Sequence, residues 1–115
     1  MNNRFNFRMW DINTKRFYYL YLDELIGLTR TISIPKGATI QQYTGLNDKN
    51  NIEVYEGDIL EFSNHIDEYK IGYVGFTAGN FYVNFLDDTD EEIAFLTTKD
   101  AKVIGNIFET PELLK

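Results

Sequence analysis

The residues equipped for chemistry are few and scattered. The one histidine, His65, follows Ser63 and Asn64. A serine nucleophile needs a base within hydrogen-bond reach and a third group to orient that base. Ser63 and His65 stand two apart in an extended segment and share a face, yet no orienting partner accompanies them. Asn64-His65 reads more simply as a turn. There is no cysteine, which removes thiol nucleophiles, disulfides and thiolate metal sites. Asp48-Lys49-Asn50 has the opening of a calcium loop, which needs oxygen ligands at positions 1, 3 and 5, a glycine pivot at 6 and a bidentate Glu at 12. Here those later positions are Ile52, Glu53 and Ile59, and the match fails. Asp87, Asp88, Asp90, Glu91 and Glu92 supply enough oxygens for a divalent cation. Consecutive acids on one loop, without a glycine pivot or a second ligand segment, read as solvated charge. Gly72 and Gly75 lie inside a strand pattern, where they suggest a bend or bulge rather than a phosphate-cradling loop. The expectation is a protein that is not an enzyme and holds neither metal nor cofactor.

The elements that must position these residues read as strands. Phe5, Phe7 and Met9 alternate with Arg4, Asn6 and Arg8, the period-two pattern of a half-buried strand with its polar side outward. Asn13-Thr14-Lys15 turns the chain into Phe17–Leu22, which predicts an N-terminal hairpin. Residues 23–37 are ambiguous: Asp23-Glu24 could open a helical turn, but Gly27, the Thr/Ser residues and Pro35 oppose a long helix. Ile32 and Ile34 suggest a short strand, and Ala38–Tyr43 another. Further on, 59–62, 69–76, 81–85, 93–96 and 102–108 read as strands, with a turn at Thr77–Asn80. Thr110-Pro111-Glu112 carries an N-cap and an N1 proline, so the tail is expected to close as one helical turn. Between them, QQYTGLNDKNNIEVYEGDIL (41–60) reads as a connector built from Asx turns and a tight reversal at Glu56-Gly57-Asp58, flanked by Tyr43 and Tyr55 as packing aromatics. The fold class is mostly β: a small SH3-like barrel or sandwich with an N-terminal hairpin, its core including Phe62, Val74, Phe81, Val83 and Ile104. One domain over 1–115 is expected, with a possible N-terminal subdomain at 1–45 and a barrel subdomain at 46–115.

The chain of 115 residues has nine Phe, eight Tyr and one Trp, and can bury a core without staples. Its longest nearly apolar run, FYYLYL (17–22), is far short of the roughly 20 residues that cross a bilayer. A soluble, cytoplasmic protein is therefore expected. The formal charge of −7 lies entirely in residues 61–115, which hold four basic and eleven acidic residues; residues 1–60 are balanced, with seven of each. Phosphate backbones need a cationic surface, so direct nucleic-acid binding is not expected.

FRMWD (7–11), KRFYY (15–19), QYTGLNDKNNIEVYEGDIL (42–60) and VIGNIFETPELL (103–114) together resemble the YopX family, small proteins encoded by phages and prophages, chiefly of Gram-positive bacteria. The family usually has glycine where this chain has Asn51, a residue that also tolerates positive φ. The resemblance implies a mostly β protein acting in the host cytoplasm. It implies no established activity and transfers no catalytic residue.

Two functions of different kind follow. In the first, the protein is an interaction module that binds a phage or host protein by an aromatic-bearing face drawn from Tyr18, Tyr19, Tyr21, Tyr69, Tyr73 and Tyr82, a surface that also suits homo-oligomerisation. In the second, it is an acidic inhibitor that mimics nucleic acid and presents Asp87, Asp88, Asp90, Glu91 and Glu92 to a basic surface of a host enzyme.

Overall fold

A computed structural model describes residues 6–20, 36–63, 69–86 and 91–114. They form two antiparallel sheets. The first is built from β1 (Phe7–Asp11), β2 (Arg16–Leu20), β3 (Thr39–Asn47) and β4 (Glu53–Tyr55), in the order β2-β1-β3-β4. The second contains β5 (Asp58–Ser63), β6 (Tyr69–Thr77), β7 (Asn80–Leu86), β8 (Glu91–Phe95) and β9 (Ala101–Asn106), in the order β8-β7-β6-β5-β9. The mostly β class expected from the sequence is the class observed. The tail closes as a short 3-10 turn at Pro111–Leu114, where the Leu113 amide donates to the Thr110 carbonyl at 3.1 Å.

The N-terminal hairpin forms as expected. The Asn13 amide donates to the Asp11 carboxylate, and Lys15 adopts φ +56° to bring the chain back. The β6–β7 hairpin turns on Ala78 and Gly79, both at positive φ, the two-residue geometry whose twist matches the flanking strands. Between β6 and β7 the register runs without a break, so Gly75 makes no bulge there. Its role is space: a β-carbon at Gly75 would sit 2.3 Å from the Tyr82 ring directly opposite.

The core of the second sheet is Leu60, Val74 and Ala101 with Val54 of the first, edged by Phe62, Phe81, Leu96 and Val103. Of the expected core residues, Val74 and Val83 are fully enclosed, whereas Phe62, Phe81 and Ile104 keep part of their surface in water.

Two sequence readings need correction. The stretch 41–60 is more than a connector, because it contains the end of β3, all of β4 and the start of β5. The strands expected at Ala38–Tyr43 and 59–62 form within β3 and β5, while polar residues hid the second half of β3 and all of β4. The Asx turn and reversal are nevertheless present: Asp48 accepts from the Asn50 and Ile52 amides, Asn51 sits at φ +64°, and Gly57 at φ +83°. Asp48 also accepts from the Val103 amide at 2.9 Å, and the Lys49 amide donates to the Ala101 carbonyl, so the loop is tied to β9. Second, the polar side of β1 does not face water: Asn6 and Arg8 are buried, at 7% and 5% exposure. The alternation is real, but both faces of this strand are covered.

Candidate interaction site

Direct cross-strand partners share a face of a sheet. Tyr19, Arg8 and Gln41 therefore form one row across β2, β1 and β3, and Tyr18, Met9 and Ile40 form the neighbouring row on the opposite face. The two faces have different chemistry.

On the first face, Arg8 Nε donates to Gln41 Oε1 at 2.7 Å. Its Nη2 donates to Asp58 Oδ1 at 2.7 Å and to the Glu56 carbonyl at 3.1 Å. The guanidinium carbon lies 4.3 Å from the Phe17 ring centre and 4.8 Å from that of Tyr55, so aromatic faces bracket the cation. Asp58 is equally enclosed and accepts the Tyr55 amide on its other oxygen at 2.8 Å. Burial raises the Asp58 carboxyl to about 6, with the Arg8 charge and the Tyr55 amide opposing that rise. The pair joins the middle of one sheet to the first residue of a strand in the other. A buried ion pair is costly to assemble and costlier to break from one side, so its weight lies in fixing how the sheets meet.

The first sheet curls strongly around this pair. Tyr19 on β2 and Tyr55 on β4, the outermost strands of this sheet among the described residues, meet edge to face at 5.8 Å, although three strand spacings of about 4.8 Å would hold them far apart in a flat sheet. Trp10 stacks on Phe108 at 5.5 Å and packs on Phe17 at 4.9 Å, tying the N-terminal hairpin to the segment after β9. Tyr43 packs on Tyr55 at 5.5 Å and hydrogen-bonds Asn47; burial first, and the Glu53 charge second, raise its phenol above the usual range. Asp48 behaves in the opposite way. Burial pushes its carboxyl up, but the amides of Val103, Ile52 and Asn50, with Lys49 nearby, outweigh that and hold it below the ordinary value.

Between the curled face and β9 lies an open cleft of about 500 Å³. Arg8 and Asp58 line it, with Phe17, Tyr19 and Tyr55 as its aromatic part. Glu53 and Glu109 are its other charged groups, and Val103 and Asn106 come from the second sheet. Glu109 is fixed by its backbone: Asn106 Oδ1 accepts from the Phe108 and Glu109 amides while Asn106 Nδ2 donates to Glu109 Oε1.

The opposite face is exposed at its flanks and covered at its centre. Tyr18 is 43% exposed and Ile40 46%, on either side of a buried Met9. Among the described residues no three His, Asp or Glu side chains gather where they could hold a cation. No helix among them is long and apolar enough to cross a membrane.

The six tyrosines singled out from the sequence do not share one face. Tyr18 and Tyr19 lie on opposite faces of the first sheet. Tyr73 and Tyr82 belong to the second and are half-buried; Tyr73 accepts a hydrogen bond from Asn84 Nδ2 at 2.9 Å. Tyr69 begins β6, and Tyr21 lies outside the described residues. Glu91 and Glu92 fall in strand β8 rather than in a loop, and Asp87, Asp88 and Asp90 lie outside the described residues, as do the segment 21–35 and His65. Sequence reading missed Arg8, Asp58 and the cleft. The available signal was the rarity of Arg between Phe7 and Met9 in a strand whose next residues, Trp10 and Asp11, break the alternation.

Comparison with known proteins matches this architecture to a family. The family model described as YopX protein matches residues 19–115. Among solved structures, the crystal structure of protein EF1440 from Enterococcus faecalis is similar over 96% of this chain and 97% of its own, with 27% identity and a TM-score of 0.63. No curated protein matches the chain.

Proposed function

We propose that this protein, which belongs to the YopX family, is a non-enzymatic interaction module that binds a partner protein through its N-terminal sheet. One observation carries the reading: Tyr18 and Ile40 flank Met9 in a single cross-strand row and remain nearly half exposed, at 43% and 46%. Large apolar side chains aligned across a rigid sheet supply the desolvated centre that protein interfaces use, and tyrosine adds a hydroxyl that tolerates water. Strand β2 is also an edge of its sheet among the described residues, which favours pairing with another chain, including a second copy of this one. In this reading the protein is phage- or prophage-encoded, acts in the host cytoplasm without cofactor or metal, and meets a phage or host protein rather than nucleic acid.

A second reading rests on charge. The whole −7 lies in residues 61–115, and an acidic inhibitor could use it to occupy a basic surface of a host enzyme. Salt separates the two, because clustered charge is screened and apolar burial is not. The test is affinity capture from host lysate with mass-spectrometric identification, repeated at low and high ionic strength. Capture that survives high salt and is lost in a folded Tyr18→Ser/Ile40→Ser variant supports the module. Capture abolished by salt alone supports the acidic inhibitor.

A further inference from the structure

We infer that the exposed row of the N-terminal sheet takes an acidic segment of the partner protein, with an apolar side chain seated between Tyr18 and Ile40 and carboxylates against Lys15, Arg16 and Lys36. This rests on the interaction-module reading and names the chemistry of the partner.

Three observations converge. The first is where the charges of the first half stand. Residues 1–60 hold equal numbers of acids and bases, but among the described residues the two signs are segregated. Asp11, Asp48 and Asp58 are buried and Glu53 and Glu56 half-buried, whereas Lys15, Arg16 and Lys36 are exposed and make no ion pair there. The second is position. Arg16 stands two residues before Tyr18 in β2 and shares its face. Its cross-strand partner is Asp11, 7% exposed, whose carboxylate already accepts the Asn13 amide. Lys15 closes the turn just before Arg16, and Lys36 adjoins Gly37, where a β-carbon would sit 3.2 Å from the Ile12 side chain. The cations therefore gather at the turn end of the sheet that carries the row of Tyr18, Met9 and Ile40. The third is the apolar surface they border. Ile12, in the same turn, is 57% exposed. Tyr18 and Ile40 stand two strand spacings apart, about 10 Å, with Met9 as a buried floor between them, which leaves room for one side chain. Apolar burial then supplies the hold, while the rim of charge supplies selection and speed of encounter. A nucleic acid brings no aliphatic side chain to this row, and the carboxylate excess of residues 61–115 opposes its long run of phosphates.

The test uses the full chain and blocked peptides of equal length, each with one Leu flanked by Asp/Glu, by Lys/Arg or by uncharged polar residues. A single-stranded oligonucleotide and anionic phospholipid vesicles stand beside them. The expected result is selective retention of the Asp/Glu peptides, with association slowed about tenfold or more in Lys15→Gln/Arg16→Gln/Lys36→Gln and binding lost in Tyr18→Ser/Ile40→Ser. Unchanged thermal melting confirms that these variants fold. Equal retention of the three peptide classes, acidic-peptide binding unaffected by the triple variant, or preference for the oligonucleotide or the vesicles overturns the inference. So does light scattering that shows a wild-type oligomer dispersed by the triple variant, because the cations would then face the acidic half of a second copy. The two readings fail separately. A lysate partner bound as fast by Lys15→Gln/Arg16→Gln/Lys36→Gln as by the wild type, but released by Tyr18→Ser/Ile40→Ser, leaves the module intact and removes the acidic segment. Absence of any captured partner removes the module, while the peptides still decide the surface.

Discussion

Arg8 of β1 and Asp58 of β5 meet at 2.7 Å with almost no access to solvent, and the contact spans fifty residues of sequence to fasten one sheet to the other. Removing one partner strands the other in a low-dielectric site. Arg8→Met and Asp58→Leu are each expected to cost about 3–5 kcal/mol, whereas Arg8→Met/Asp58→Leu together should recover much of the loss. Equilibrium urea unfolding of the four proteins checks this cycle. Additive losses would show that the pair does not act as a unit.

The same carboxyl sets a pH dependence of unusual sign. Asp58 titrates at about 6 in the folded protein and near 3.9 when unfolded. The folded state therefore binds the extra proton between these values. The stability contributed by this group is present at the acid end of the window, is lost as pH rises from about 4 to 6, and stays lost above it. Relative to Asp58→Asn, the wild type should gain stability as pH falls from 7 to 4. Asp48 works the other way: its lowered value gives stability at neutral pH that disappears as acid protonates it. Unfolding of wild type, Asp58→Asn and Asp48→Asn across this range separates the two carboxyls.

Asn51 occupies φ +64°, the left-handed region, in the loop that Asp48 organises. Asn51→Gly should be within about 0.5 kcal/mol of wild type, since it relieves backbone strain but loses the hydrogen bond from Asn47 Nδ2. Asn51→Val should cost about 1–2 kcal/mol, because a β-branched side chain is strongly disfavoured there. Thermal melts of the two variants decide it.

Much of this fold was legible in the sequence. The hairpin turns at 13–15 and 77–80, the helical turn at the tail and the enclosed valines follow from local pattern and turn chemistry. Asn51 was recognisable as a positive-φ position because only few residue types tolerate it. Arg8 was not legible. Its alternation with Phe7 and Met9 signals a strand with two unlike faces, and only tertiary pairing with Asp58 makes the polar face an interior one. The first half of β3 was legible as the strand expected at Ala38–Tyr43, whereas its second half and β4 were hidden for a related reason: Thr44 and Asn47 look like loop residues until their hydrogen bonds are known. Curling of the sheet, which creates the cleft, leaves no local mark on the sequence.

The acidic run separates the two functional readings. Replacing Asp87, Asp88, Asp90, Glu91 and Glu92 with Ser or Asn relieves mutual repulsion, worth a few tenths of a kcal/mol per pair at most, and should leave the fold intact. The interaction module is expected to keep its partner after this change. Slower association in stopped-flow, with loss of the complex, would instead assign the partner to the acidic inhibitor.

The most direct measurement sets Tyr18→Ser/Ile40→Ser beside wild type and the charge-neutralised protein in one capture experiment, with melting curves confirming that all three are folded. The expected result is capture of the same partner by the wild type and the neutralised protein, and its loss from Tyr18→Ser/Ile40→Ser. Full capture by Tyr18→Ser/Ile40→Ser, with loss from the neutralised protein, would contradict the assignment of the N-terminal sheet as the binding surface.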